Sequence, residues 1–259
     1  MRLFTQQIHG IPSINPRHWA FALTGRVQHP LILSFEDVQA SPTLEISAAI
    51  VCAHQPSDDQ PDDALVYDAI WGGVPLSSLF EEVDIDPAVT GATLYAADGY
   101  TCTLTLEQLR SAVLVTTMNG DPLPVEHGYP ARIVVPGQYG FKSPKWIERI
   151  HFSDASAAGT WESRGWITDA IQPFASIDVP RMKAVIALGE PAVFRGVVAS
   201  AQSQSLQVRV NRILLEAVQQ PTPAGSLIEW SATWTPTIPG DYVLRLNIGE
   251  SPSRTVRVR

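Results

Sequence analysis

Residues 119–146, NGDPLPVEHGYPARIVVPGQYGFKSPKW, form the segment that most strongly decides how this chain folds. The segment opens on Asn-Gly and two prolines, contains one short apolar run at residues 133–135, and breaks again at Pro136-Gly137 and Tyr139-Gly140. Glycine and proline at these positions favour turns on either side of a single strand. The segment is therefore predicted to place backbone and side chains at a site rather than to fill a core.

The same segment concentrates positive charge within an acidic region. Residues 1–170 contain nine Lys/Arg and twenty Asp/Glu, a net charge of −11, whereas residues 127–147 contain no acid. The basic side chains there are His127, Arg132, Lys142 and Lys145. Turn amides and an Arg guanidinium can donate hydrogen bonds to a phosphate, and lysines add charge. The residues leave two interpretations open, a site for a phosphorylated ligand and a solvated basic loop.

Length and composition are those of a globular protein. The chain has 259 residues, of which 45% are hydrophobic and 17% are charged, enough for two ordinary domains or one large one. The net charge of −8 and the pI near 5.2 argue against nucleic acid as a partner, because phosphate-backbone binding needs a broad basic face. No window of about 18 apolar residues is present, so no membrane segment is predicted.

The N-terminus and the cysteines bear on the cell compartment. The first residues, MRLFTQQ, contain neither a hydrophobic signal core nor a twin-arginine leader. A cytoplasmic location is therefore predicted, or a periplasmic one if a leader is missing from this chain. Cys52 and Cys102 lie fifty residues apart without a secretory signal, so two reduced thiols are predicted in place of a disulfide.

The sign of the charge changes near Pro173. Residues 171–259 contain nine Lys/Arg and six Asp/Glu, a net charge of +3. This shift predicts a first domain over residues 1–172 and a second over residues 173–259. The second part consists of short alternating apolar runs with turn residues about every eight to twelve positions, which is typical of an immunoglobulin-like β-sandwich.

A strand predicted over residues 44–51 ends at Cys52 and runs directly into a polar loop. The strand sequence LEISAAIV alternates and then becomes apolar, whereas residues 53–63 contain two prolines and four aspartates. A buried strand, a cysteine and then a polar loop are the layout expected of a side chain presented at the mouth of a cavity. The longer loop from His54 to Asp68 contains five carboxylates without a compensating cation: Asp58, Asp59, Asp62, Asp63 and Asp68.

The ordered pattern of residues 119–146, NGxPLPxxHGxPxRxxxPGxxGxKxxKW, closely resembles the molybdopterin-binding core of the sulfite oxidase family. Shorter segments resemble that family in the same order: WGGVPL from Trp71, DGY from Asp98 and WESRGW from Trp161. The resemblance implies an α+β fold, in which a mixed α/β molybdopterin-binding domain precedes an immunoglobulin-like sandwich that mediates dimerisation. It also implies an oxidoreductase that transfers oxygen atoms at molybdenum.

The resemblance implies cofactor and metal roles for individual residues. Cys52 would bind molybdenum as a soft thiolate, alongside two sulfurs of a single pterin dithiolene. Tyr100 is the candidate catalytic phenol, carried towards the cavity by the turn at Asp98. The side chains that would hold the pterin and its phosphate are His127, Arg132, Lys142, Ser143 and Lys145, with His9 and Asp98 as further candidates.

Simpler interpretations stand beside several of these assignments. His9 also suits a surface histidine, and Asp98 also suits a turn residue that bonds its own backbone. Cys102 lies between two threonines of an alternating strand, where it is predicted to pack as a small hydrophobe.

The loop after Cys52 departs from the sulfite oxidase pattern. Members that oxidise sulfite line the substrate pocket with arginines, one of them shortly after the cysteine, whereas this chain has Ala53-His54-Gln55-Pro56 and then aspartates. A negative potential at the entrance would disfavour sulfite and favour a neutral substrate such as a sulfoxide. The alternative is a loop that is simply a solvated excursion.

Electron transfer is predicted to need a second protein. The chain contains no CxxCH motif for haem attachment, so a separate electron carrier such as a cytochrome is expected. The expected partners are thus a small-molecule substrate, that carrier and a second copy of the chain in a homodimer. Two rival functions remain: a metal-free, non-catalytic binding or assembly module, which need not retain Cys52, and an adhesion-type sandwich protein.

Overall fold

The structure is a computed structural model that describes residues 5–53, 66–154, 158–166, 170–180, 183–199, 206–248 and 253–259. Over these residues the chain is mostly β, with eighteen strands and three α-helices of six to eight residues. The chain divides into two compact units, one of residues 1–53 and 69–170 and one of residues 54–68 and 171–259. No helix in the described ranges is long and apolar enough to cross a membrane.

Among the described residues, the first unit contains three α-helices and ten strands. The first three residues of its fourth strand, residues 66–68, are counted with the second unit. The helices are α1 (Phe35–Ala40), α2 (Leu76–Val83) and α3 (Leu106–Ser111). The strands are β1 (Ala20–Gly25), β2 (Leu31–Ser34), β3 (Leu44–Val51), β4 (Val66–Pro75), β5 (Gly91–Ala96), β6 (Thr101–Thr105), β7 (Val113–Met118), β8 (Asp121–Pro122), β9 (Arg132–Val134) and β10 (Ile147–Ser153).

These strands form two sheets. One has the order β2-β1-β10-β5-β6, in which β1 and β10 are parallel and the other neighbours are antiparallel. The other has the order β3-β4-β7-β8, and β9 also pairs with β7. One apolar core unites side chains from both sheets, among them Phe21, Leu94, Leu114, Ile133 and Phe152. Strand β6 lies at the edge of its sheet, so one side of it is open to contacts from another segment.

The short helices begin where the sequence provides a cap. Ser34 Oγ accepts a hydrogen bond from Asp37 N, and the Asp37 carboxylate accepts one from Ser34 N, so α1 starts with a reciprocal capping box. Thr105 and Gln108 form the same pair of bonds at the start of α3. Two side chains three residues apart therefore stabilise the first turn of α1 and the first turn of α3.

Strand β3 delivers Cys52 to the interior, as its sequence predicts. Exposure falls along the strand until Ile50 and Val51 are buried, and Cys52 follows with 6% of its surface exposed. Trp71 of β4 donates a hydrogen bond from Nε1 to the Ala48 carbonyl at 2.9 Å, which ties the two strands together.

The two cysteines remain thiols, since no disulfide joins them, and this confirms the prediction. Cys102 packs in the core from β6, also as predicted, and burial raises the pKa of its thiol.

The second unit contains eight further strands in two sheets. One sheet has five strands in the order β11-β18-β17-β13-β14, and the other has three in the order β12-β16-β15. Phe194, Trp230 and Leu244 are among the side chains of their common apolar core. The strands are β11 (Val185–Ile186), β12 (Ala192–Ala199), β13 (Val208–Val210), β14 (Ile213–Leu215), β15 (Ala217–Pro221), β16 (Leu227–Trp234), β17 (Gly240–Leu246) and β18 (Arg254–Val258).

Asp68 lies inside the second unit and not in an exposed acidic loop. Its Oδ2 accepts hydrogen bonds from Thr222 Oγ1, from Ser226 Oγ at 3.1 Å and from Ser226 N at 3.3 Å. These three donors hold the Asp68 carboxylate in a buried position, so it is not a side chain of a solvated loop, and a contribution of its charge to the potential at an entrance stays a prediction. His54 and the other four aspartates of that loop lie outside the described residues.

Candidate functional site

Arg132 is the centre of a buried cationic cluster. It opens β9, is 2% exposed, and donates from Nη1 to His127 O at 3.2 Å and from Nη2 to Ser143 O at 2.9 Å. Its guanidinium carbon lies 5.1 Å from the centroid of the Trp71 ring. The buried Nε has no hydrogen-bond partner among the described residues. The Nε–H of a fixed guanidinium thus remains for a further acceptor.

Lys145 and His127 share this positive environment. Burial, followed by the charge of Arg132, lowers the pKa of Lys145 to about 8, and the same two causes lower the pKa of His127. Lys145 Nζ donates to Glu126 O at 2.9 Å and lies 4.4 Å from the centroid of the Trp146 ring. In the part of the chain that the structure describes, neither Arg132 nor Lys145 forms an ion pair. Such a cluster favours a bound anion, which would relieve the mutual repulsion.

Gly128 allows these cations to approach one another. Its φ of +114° lies in the region that favours glycine, and a Cβ there would lie 2.9 Å from Arg132 Cβ and 3.2 Å from Lys145 Cα. The His-Gly dipeptide of the motif is therefore a packing requirement of the cluster.

Asp98 and His9 lie beside the cluster. His9 Nδ1 is 2.8 Å from Asp98 O, and the Asp98 carboxylate raises the pKa of Lys145, against the larger effects that lower it. Asp98 Oδ1 also accepts a hydrogen bond from Tyr100 N at 3.1 Å, as in the simpler interpretation of a turn residue, and its role towards the cofactor stays a prediction. His9 is exposed, as a surface histidine would be.

Cys52 follows a strand whose end packs on the glycine corner of the motif. Its Sγ is 3.5 Å from Gln6 Oε1. A Cβ on Gly140 would lie 3.0 Å from Ile50 Cγ2 and 3.4 Å from Val51 O, so the corner packs on the two residues that precede the cysteine. The structure thus places the end of β3, which leads into Cys52, next to the motif that carries the cations.

Tyr100 and Ser143 are engaged with the backbone of the motif. The Tyr100 hydroxyl donates to Phe141 O at 2.5 Å, and burial, followed by nearby negative charge, raises the pKa of this phenol. Ser143 is 2% exposed, and its Oγ accepts a hydrogen bond from Val135 N at 3.0 Å. Both side chains therefore hold the motif in place, whether or not they also contact a ligand.

The ammonium of Lys142 is engaged away from the Arg132 cluster. Its Nζ lies 2.7 Å from Glu162 Oε1 and donates to Thr103 O at 2.8 Å, and the two ionic side chains are 7% and 13% exposed. No individual role was predicted from the sequence for Glu162 or for Trp71. Both residues lie in short segments that resemble the family in the same order along the chain, and this order was the only sequence feature that pointed to them.

Comparisons with known proteins identify the family of the chain. A family model described as the oxidoreductase molybdopterin-binding domain matches residues 8–161. The uncharacterized oxidoreductase YuiH of Bacillus subtilis is 34% identical over 150 residues, which cover 57% of this chain and 72% of that protein.

Larger enzymes match the same part of the chain. Sulfite oxidase of Arabidopsis thaliana is 29% identical over 181 residues, covering 58% of this chain and 46% of the enzyme. Inducible NADH nitrate reductase 2 of Glycine max is 27% identical over 169 residues, covering 55% of this chain and 19% of the enzyme. The chain thus spans less than half the length of either enzyme.

The fold also matches a solved structure. The sulfane dehydrogenase SoxCD from Paracoccus pantotrophus superposes with a TM-score of 0.75 over 95% of this chain and 70% of that chain, at 20% identity. This likeness concerns the fold. The family model covers more than half of the residues, and the chain therefore belongs to the sulfite oxidase family of molybdopterin-binding oxidoreductases, whose cofactor is molybdopterin-bound molybdenum.

Proposed function

We propose that this chain transfers oxygen atoms to or from a small neutral substrate, with the pterin phosphate on the Arg132 cluster and with Cys52 as the protein ligand of molybdenum. The observation that carries the proposal is the buried Arg132, with a spare donor at Nε, beside a lysine whose pKa is lowered to about 8. Arg132 is a buried cation that forms no ion pair among the described residues, and such a cation is costly unless an anion binds it.

The residues present fit an anionic cofactor. His127, Arg132 and Lys145 would hold the phosphate, and His9 and Asp98, which lie beside Lys145, are proposed as contacts of the pterin rather than of its phosphate. Ser143 and Lys142 would act on the cofactor through the backbone that they hold. The fit rests on charge and on the spare Arg132 donor.

When bound, the cofactor supplies oxygen-atom transfer coupled to two electrons at molybdenum. The Cys52 thiolate would provide a soft donor on the side of the Gly140 corner. The Tyr100 phenol, whose pKa is raised by burial, keeps its proton at neutral pH and donates it in a hydrogen bond to Phe141 O, so it is not a base. Electrons would be exchanged with a separate carrier, such as a cytochrome.

A neutral substrate is proposed from the acidic loop. Asp58, Asp59, Asp62 and Asp63 follow Cys52 without a compensating cation, and their potential would slow an approaching anion. Salt screens such a potential over about 8–10 Å. We therefore expect weak sulfite oxidation at low salt that improves as salt rises, whereas the reduction of a methyl sulfoxide by a reduced dye stays constant.

Steady-state kcat/KM for both substrates, measured at low and high salt, tests this expectation. The matched variant carries Asp58→Asn and Asp59→Asn, which should raise sulfite kcat/KM at low salt and leave the sulfoxide unchanged. Efficient sulfite turnover that does not depend on salt in the unmodified protein would contradict the proposed substrate class.

Lys145 makes cofactor binding depend on pH. Its pKa is about 8 without the cofactor, and a phosphate beside it would raise that pKa, so binding takes up a proton above pH 8. Retention of pterin should therefore be strongest below pH 8 and fall by up to about tenfold per pH unit above it. Lys145→Met should bind more weakly and lose this dependence, and an unchanged slope in that variant would contradict the assignment.

The second unit is proposed to be an immunoglobulin-like sandwich that forms a symmetric homodimer. Its two sheets around one core support the first part, and exposed apolar side chains such as Val185, Val218 and Ile238 support the second. The domain division at residues 172 and 173 stays a prediction. Sedimentation of the full chain should give the mass of two copies, and a monomer at micromolar concentration would contradict the dimer.

A further inference from the structure

Each residue of the turn from Gly140 to Ser143 is tied to a different element. Gly140 packs on the end of β3, and Phe141 O accepts the Tyr100 hydroxyl. Lys142 pairs with Glu162, and Ser143 O accepts from Arg132. The turn therefore links the strand that carries Cys52 to the cationic cluster, and its position depends on all four ties.

The tie through Lys142 is the one that carries buried charge. Glu162 Oε1 gathers three donors: Lys142 Nζ at 2.7 Å, Thr103 N at 3.0 Å and Thr103 Oγ1 at 3.3 Å. The hydrogen bonds from Lys142 and Thr103 and the charge of Lys142 lower the pKa of Glu162, although burial opposes them and is the largest single influence. Removing either partner would leave the other as an uncompensated charge in a buried position.

Glu162 is itself held by the edge of the first sheet. Residues 159–166 run along β6, where Thr160 N donates to Thr101 O at 2.8 Å and Thr160 Oγ1 accepts from Thr101 N at 3.0 Å. Thr101 N and Thr103 N are alternate amides on the open side of an edge strand, and side chains of this segment satisfy both. Gly159 is required there, since a Cβ would lie 2.6 Å from Cys102 Cα.

Aromatic contacts join the same segment to the turn. The ring of Trp166 lies edge-on to Phe141 with centroids 5.4 Å apart, and it stacks on Trp161 at 4.6 Å. The segment of residues 159–166 thus contacts the turn through one ion pair and one aromatic pair.

We propose that Glu162 is a positioning residue: through Lys142 it locks the turn of residues 140–143 in the arrangement that holds the cofactor beside Cys52. The inference rests on the proposed function for its effect on the cofactor. The effect of Glu162 on the turn of residues 140–143 does not depend on the proposed function, because it rests on contacts within the chain. Lys142 then acts on the cofactor indirectly, which explains why its ammonium is engaged with Glu162 and Thr103.

Two rates measured on Glu162→Gln test the proposal. We expect pterin to leave the holoprotein about tenfold faster, and iodoacetamide to alkylate Cys52 of the cofactor-free protein about tenfold faster, because the turn opens more often. Glu162→Asp, which keeps the charge but shortens its reach, should give a smaller change in the same direction. If Glu162→Gln does not fold, the Asp variant decides.

The matched control is Val83→Ala, which removes buried methyl groups from α2 in the same unit. It should lower the melting temperature by a comparable amount without changing either rate. Equal acceleration of both rates in this control would overturn the positioning role, as would unchanged rates in both Glu162 variants. If the unmodified protein binds no pterin, the proposed function fails, and Cys52 alkylation alone still decides the role of Glu162.

Discussion

Cys52→Ala is expected to abolish oxygen-atom transfer while the protein still retains its pterin. The thiol is the protein's proposed donor to the metal, whereas the pterin phosphate is proposed to rest on His127, Arg132 and Lys145. Changes to groups that only support metal ligands cost about 10–100-fold, so loss of a ligand should exceed about 100-fold in kcat. Turnover with a sulfoxide and the fluorescence of the released, oxidised pterin measure the two effects separately.

Cys102→Ala is the matched control for this variant. Cys102 is fully buried in the core, so its loss should lower stability and leave turnover per bound pterin unchanged. Equal turnover in Cys52→Ala and in the unmodified protein would contradict the ligand assignment.

Arg132→Ala is expected to cost cofactor binding far more than it costs the fold. A buried, charge-assisted contact to phosphate contributes on the order of 2–3 kcal/mol, or roughly 30- to 150-fold in affinity. The change also removes the hydrogen bonds to His127 O and Ser143 O, so some loss of thermal stability should accompany it. Pterin content per chain after gel filtration measures the first effect, and the melting temperature of the cofactor-free protein measures the second.

Arg149→Ala provides the matched control for Arg132. Arg149 is an exposed arginine of β10 whose guanidinium carbon lies 4.1 Å from the centroid of the Tyr95 ring. Its removal should leave pterin content unchanged. Full pterin occupancy in Arg132→Ala would contradict the proposed role of the cluster.

The sequence predicted the local features of the site because local rules govern them. The alternation of residues 44–51 predicted the strand that leads to the buried Cys52. The glycines and prolines of residues 119–146 predicted turns around one short strand, which is β9, and did not predict the two-residue β8. The charge pattern left open an anion site or a solvated basic loop, and the structure buries Arg132 there, with an Nε that has no partner among the described residues. Spacing along the chain is enough for such features.

The partners of individual side chains could not be predicted, because they depend on contacts between distant segments. Lys142 matches a motif position, yet its ammonium pairs with Glu162, and only the packing of residues 159–166 on β6 decides this. Asp68 follows an acidic loop in sequence, yet Thr222 and Ser226, more than 150 residues away, surround its carboxylate. From the sequence alone, Lys142 and Asp68 look like charged residues of loops. In the structure each is buried and bound to specific side chains.

The most direct test of the account is X-ray absorption at the molybdenum edge, on protein made in a host that synthesises the cofactor. The unmodified chain is expected to hold molybdenum with one more sulfur ligand than Cys52→Ala does, while both proteins contain similar amounts of pterin. The same number of sulfur ligands in both proteins would contradict the claim that Cys52 binds the metal.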